Sequence, residues 1–203
     1  MFVAAPPAMS RSTMRPFELT AVVIAGTFAV PEPESVVSFA VQIEPAQGAP
    51  PDVEYRWDTD TDILTVAVRS KAVGEGLCGS VELMGGDGAW LNLDVTGGRI
   101  HGVEVAVWPD VRKVPALAAP ATVEDGRVAV PLRKLGADVG SVAIDTALVA
   151  EADQAERTIH FRVGPARPAR TVRIARDLLV DVDPNGRIAG VWLLNVPPFP
   201  EDL

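Results

Sequence analysis

Apolar and polar residues alternate with a period of two through much of the chain, as in Ile63-Leu64-Thr65-Val66-Ala67-Val68 and Thr158-Ile159-His160-Phe161-Arg162-Val163. Side chains of a strand point to opposite faces in turn, so this alternation predicts half-buried strands rather than helices. The apolar runs are short and end at Gly, Pro, Asn or Asp, residues that favour turns. Strands are predicted over residues 17–30, 35–44, 63–69, 89–94, 99–108, 127–132, 141–149, 158–163, 171–175, 178–182 and 187–195. Pro31-Glu32-Pro33 reads as a turn and residues 45–51, with three prolines, as a linker. One short helix is predicted over residues 131–136, where Leu132 and Leu135 lie three apart and Gly136 closes the end. Many short strands joined by short turns predict an all-β sandwich or barrel.

A repeat organises this pattern. Gly98-Arg99-Ile100 and Gly186-Arg187-Ile188 are each followed by one residue and then Gly-Val, and both segments reach a proline, Pro109 and Pro197. A second alignment sets Asn92-x-Asp94-x-x-Gly97 against Asp181-x-Asp183-x-x-Gly186. It gives the first copy one extra glycine in its turn. Each copy reads as a hairpin whose second arm begins Gly-Arg-Ile, because Asn, Asp and Gly tolerate the left-handed backbone of a tight turn. Five segments result: a flexible arm (1–16), an N-terminal β-hairpin with linker (17–50), a first repeat unit (51–114), connecting strands (115–150) and a second repeat unit (151–203). The predicted fold is two homologous hairpin-rich units forming one pseudo-symmetric sandwich or barrel.

The motifs of these units resemble a family of small bacterial domains of unknown function. Trp57-Asp58-Thr-Asp-Thr-Asp62-Ile63-Leu64-Thr65-Val66 is similar to the family's opening, Tyr-Asp-x-x-x-Asp-x-Leu-Tyr-Ile. Asn92-Leu-Asp94 with Gly102-Val103-Glu104-Val105 is similar to its close, Asp-x-Asp-x-x-Gly-x-x-x-Gly-Ile-Glu-Ile-Leu. The second copy keeps the close from Asp181 to Val191, with Trp192 in place of the family's Glu, and retains little of the opening. The resemblance covers residues 53–108 and 153–196 and implies a β-rich unit that pairs with a second copy. It brings no catalytic residue with it.

Charge and composition then narrow the function. The net charge of −9 over 203 residues argues against tracking of a phosphate backbone, so no nucleic-acid partner is expected. The apolar stretch 19–30 is shorter than the roughly 20 residues a bilayer demands, is preceded by Glu18 and is followed by no A-x-A-like exit, so a cytoplasmic protein without a membrane partner is expected. The single cysteine, Cys78, cannot form an intrachain disulfide. The acid-rich span 52–110 suits a complementary contact between the two halves or between subunits of a homo-oligomer.

Candidate chemistry is sparse. Asp181-x-Asp183-x-Asn185-Gly186 copies the start of a calcium loop, but Trp192 stands where the bidentate Glu belongs, and a hairpin turn explains the same residues. Asp58, Asp60 and Asp62 read as an Asx-type turn before the strand at Ile63. Cys78, His101 and His160 form no recognisable nucleophile motif, and no Walker loop, Gly-x-Gly-x-x-Gly or His-Glu-x-x-His is present, so no cofactor or metal is expected. Arg173, between Val172 and Ile174, is expected to blunt an exposed sheet edge. The tryptophans are the most suggestive feature: Trp57, Trp90, Trp108 and Trp192 all lie on or beside hairpin strands, with Glu104 among them. Period-two alternation puts Ile100, Gly102, Glu104, Ala106 and Trp108 on one face, and Ile188, Gly190, Trp192 and Leu194 on the matching face. A carboxylate in that row must meet an arginine, water or a ligand. Trp57, Trp90, Glu104, Trp108 and Trp192 form the candidate ligand-binding set. Three functions fit: a non-catalytic binding protein for a hydrophobic small molecule or a protein partner, a cofactor-free cyclase-like barrel enzyme, and a regulatory or toxin-neutralising partner.

Overall fold

The computed structural model describes residues 39–70, 78–131 and 140–200. The predicted helix (131–136) and the first predicted strand (17–30) fall outside these residues, apart from Pro131, which lies in coil. All the regular structure is β: β1 Gln42–Pro45, β2 Val53–Asp58, β3 Ile63–Val68, β4 Gly79–Met84, β5 Trp90–Thr96, β6 Arg99–Val107, β7 Val111–Lys113, β8 Val123–Ala129, β9 Gly140–Asp145, β10 Leu148–Ala152, β11 Ile159–Val163, β12 Arg170–Ala175, β13 Leu178–Val182 and β14 Ile188–Leu193. They form one curled mixed sheet, a half-barrel.

Hydrogen bonding divides this sheet into two lobes with the same internal strand order. One runs β2-β3-β6-β5-β4 and the other β10-β11-β14-β13-β12. Each is extended by a parallel strand from the connecting segment, β9 on β4 and β8 on β12. The predicted strand 141–149 is therefore two strands serving different lobes. β8 also pairs with β1, and touches β6 at Arg99–Ala129, so it forms the corner between lobes. Because β12 is flanked by β13 and β8, Arg173 does not guard an edge; it faces Asp125 on β8 at 3.4 Å. The core draws on both lobes, with Leu64, Val66, Leu93 and Val103 from one and Phe161, Val180, Val191 and Leu193 from the other, all fully buried.

The Gly-Arg-Ile segments both open the second arm of a hairpin. Thr96 pairs with Arg99 around Gly97 and Gly98, whose φ values of 60° and 73° are those a two-residue type I′ turn requires. In the other hairpin Asp183 Oδ1 accepts from the backbone N–H groups of Asn185 and Arg187, both at 2.9 Å, and Gly186 takes φ 73°. That loop is one residue longer than Gly97-Gly98, so the extra residue lies in the second hairpin rather than the first. The pairing sets Asp94 opposite Gly102 and Asp181 opposite Gly190. Asp94 thus corresponds to Asp181, not to Asp183.

A β-bulge occurs at the same place in both hairpins. Asp94 faces Gly102 but Val95 faces Ile100, leaving His101 as the extra residue; Asp181 faces Gly190 but Val182 faces Ile188, leaving Ala189. An inserted residue reverses the inward–outward parity beyond it. Ile100 is therefore buried together with Val103 and Val105, whereas Glu104 and Ala106 turn to the other face. The uninterrupted face through Ile100, Gly102 and Glu104 predicted by strict alternation is broken at His101.

Candidate functional site

Strand β2 alternates exposed Glu54, Arg56 and Asp58 with half-buried Val53, Tyr55 and Trp57. The inward row meets the second lobe: the Tyr55 hydroxyl donates to the Leu194 carbonyl at 2.7 Å and lies 3.2 Å from that of Asp177. Burial and the nearby Asp177 charge raise the Tyr55 pKa, so the phenol stays a donor at physiological pH. One step along, Trp57 stacks on Trp108 with centroids 5.7 Å apart and planes at 21°. Phe199, from the segment after the last strand, meets Trp57 edge-on at 5.1 Å, and Trp108 rests against Phe161 at 5.7 Å. Both indole N–H groups are tied to backbone, Trp57 to the Pro197 carbonyl (3.1 Å) and Trp108 to that of Asp62 (2.8 Å). The rings are thereby fixed in orientation while lining an open cleft of about 540 Å³ with Ile159, Pro198 and Phe199. Asp62 and Glu156 also lie at its wall, the Glu156 carboxylate paired with Lys113.

The structure brings Trp57 and Trp108 together and separates the other candidates from them. Trp90 begins β5 and is 37% exposed, in a row with Met84 and Val107 on the neighbouring strands. Glu104 is half-buried opposite Thr65 and Asn92, across the sheet from the core. Trp192 is buried at 7% exposure, on the outer face of the second lobe. Cys78 is exposed, and His101 Nε2 lies 3.0 Å from the Ser70 hydroxyl. Asp58 Oδ1 accepts from the Asp60 N–H at 3.1 Å, the Asx turn expected there.

Trp192 belongs to a second constellation, centred on the buried carboxylate of Asp181. Its Nε1 donates to Asp181 Oδ2 at 2.8 Å, His160 Nε2 approaches the same oxygen at 3.1 Å, and the Thr171 hydroxyl donates to Oδ1 at 2.6 Å. A carboxylate only accepts, so the His160 proton sits on Nε2. The His160 ring stacks on Trp192 at 4.0 Å, which locks the set. Burial is the largest influence on Asp181 and would raise its pKa; the three donors together outweigh it and hold the carboxyl below its usual range.

In the first lobe the corresponding positions carry Thr65, Glu104, Asp94 and Ser80. Among the described residues no hydrogen bond reaches the Asp94 side chain, and burial raises its pKa, opposed in part by His101. Two aspartates in matching register are thus shifted in opposite directions by their surroundings.

Phe199, Tyr55 and the central place of Asp181 are not apparent from strand patterning. The one usable signal is an isolated phenylalanine within Pro197-Pro198-Phe199-Pro200, apolar residues beyond the last strand with no alternation to explain them. No family model and no curated protein matches the chain.

Proposed function

We propose that this is a non-catalytic binding protein whose cleft holds a flat, apolar small molecule against Trp57, Trp108 and Phe199. The fixation of both indoles through their N–H groups carries this reading, because a preorganised aromatic wall loses little side-chain entropy on binding. The cleft volume is in the range of small-molecule sites. Asp62 at the wall favours a neutral or cationic ligand over an anion, the Glu156 charge being met by Lys113. We also propose that the lobes descend from copies of one unit, supported by their common strand order and bulge position; the cleft then uses aromatic residues contributed by both.

Titration with the neutral fluorescent probe N-phenyl-1-naphthylamine tests the site. Trp57→Ala and Trp108→Ala are each expected to weaken binding by about tenfold or more, the loss of roughly 1.4 kcal/mol or more of aromatic contact. Trp90→Ala and Glu104→Gln, outside the cleft, should leave affinity unchanged. Equal affinity in wild type and the Trp57/Trp108 double variant would refute the assignment.

A further inference from the structure

A second cavity, of about 220 Å³, opens at the corner where β8 joins the lobes. Its wall carries three guanidinium groups from three strands, Arg99 at the start of β6, Arg127 on β8 and Arg173 on β12, together with His101. In a chain of net charge −9 this clustering of arginines leaves a local positive excess of one charge once the nearby carboxylates are counted. Glu44 on β1 spans two of the arginines, at 2.7 Å from Arg99 Nε and 3.0 Å from Arg127, and Asp125 faces Arg173 at the long distance of 3.4 Å. The hydrogen bond from Arg99, with both guanidinium charges, holds the Glu44 carboxyl below its ordinary pKa despite desolvation.

Two carboxylates therefore face three permanent cations. The protein does not saturate their donors. Arg99 meets Glu44 only through Nε, Arg127 reaches it only through Nη2, and Arg173 meets Asp125 only through Nη1, so the other terminal nitrogens of the three guanidinium groups have no protein partner among the described residues. Residues 46–51 form the remaining wall, where Gly48 takes φ 91°. Guanidinium forks suit planar or tetrahedral oxyanions, and a concave wall strengthens the field they set up.

We infer that this cavity binds a small dianion of the phosphate-monoester class, coordinated by Arg99, Arg127 and Arg173. The site is separate from the aromatic cleft in both place and charge preference.

Isothermal titration of the full chain with phenyl phosphate, at constant ionic strength set with sodium chloride, tests this. Saturable one-to-one binding is expected, with Arg173→Gln weakening it about tenfold and Arg99→Gln at least as much. In the wild-type protein, phenyl phosphate should shift the amide resonances of Gly48 and His101 and leave the Trp57 indole unmoved, a readout that does not depend on the variants folding. Absence of saturable binding at millimolar phenyl phosphate, unchanged affinity in the two folded variants, or shifts confined to the Trp57 cleft would each overturn the assignment.

Discussion

Asp181→Ala is expected to destabilise the protein by about 3 kcal/mol, a fall in Tm of roughly 6–12 °C for a domain of this size. The substitution strands three donors at once: the buried Trp192 Nε1 and Thr171 hydroxyl, and the half-buried His160 Nε2. Asp94→Asn at the matching position should be neutral or mildly stabilising, because burial already disfavours its charged form. Their pH dependences have opposite signs. The Asp181 pKa is lowered in the folded state, so its contribution is complete above about pH 4 and disappears as the pH falls through the folded value. The Asp94 pKa is raised, so its charged form costs stability at neutral pH and that cost is relieved on acidification through the raised value. Melting curves between pH 7 and pH 3 should show the Asp181→Ala deficit shrinking toward the acid end. Any advantage of Asp94→Asn should fade there too. A deficit for Asp181→Ala that is constant with pH would mean the carboxylate charge is not what holds the network.

Gly190→Ala is expected to be at least as damaging, about 3–4 kcal/mol by thermal or urea unfolding. A Cβ at this position would lie 2.6 Å from His160 Nε2, 2.8 Å from the Phe161 carbonyl oxygen and 3.0 Å from Asp181 Oδ2. The histidine could swing away only by abandoning Asp181. The carbonyl cannot move without breaking the β11–β14 ladder in which Phe161 pairs with Val191. Glycine thus opens the space across which His160 reaches a carboxylate two strands away. Gly86→Ala is the control: nothing lies within 4 Å of its added Cβ, and no loss is expected. A Gly190→Ala protein as stable as wild type would show that the ladder yields more easily than its pairing implies.

The all-β class was legible because alternation is a property of each strand alone, and the hairpins were legible because Gly97-Gly98 and Asp183-Pro184-Asn185-Gly186 carry their own turn chemistry. Lateral order was not, since nothing local in residues 140–152 says that β9 joins one lobe and β10 the next. The bulges at His101 and Ala189 were equally hidden. A single inserted residue leaves the composition of β6 unchanged yet sends Glu104 to the face opposite Val103 and Val105. For the site, the tryptophans drew notice by their chemistry, but only pairing and packing could separate Trp57 and Trp108 from Trp90 and Trp192. Phe199 completes the cleft through a contact between residues far apart in the chain, which periodicity does not encode.

The binding reading rests on where an apolar ligand settles, and the four tryptophan indole N–H resonances in a 1H–15N spectrum report this directly. On addition of N-phenyl-1-naphthylamine, the signals of Trp57 and Trp108 are predicted to shift together and saturably, while those of Trp90 and the Asp181-bound Trp192 stay in place. Shifts confined to Trp90, or no saturable shift at Trp57 and Trp108, would contradict the account.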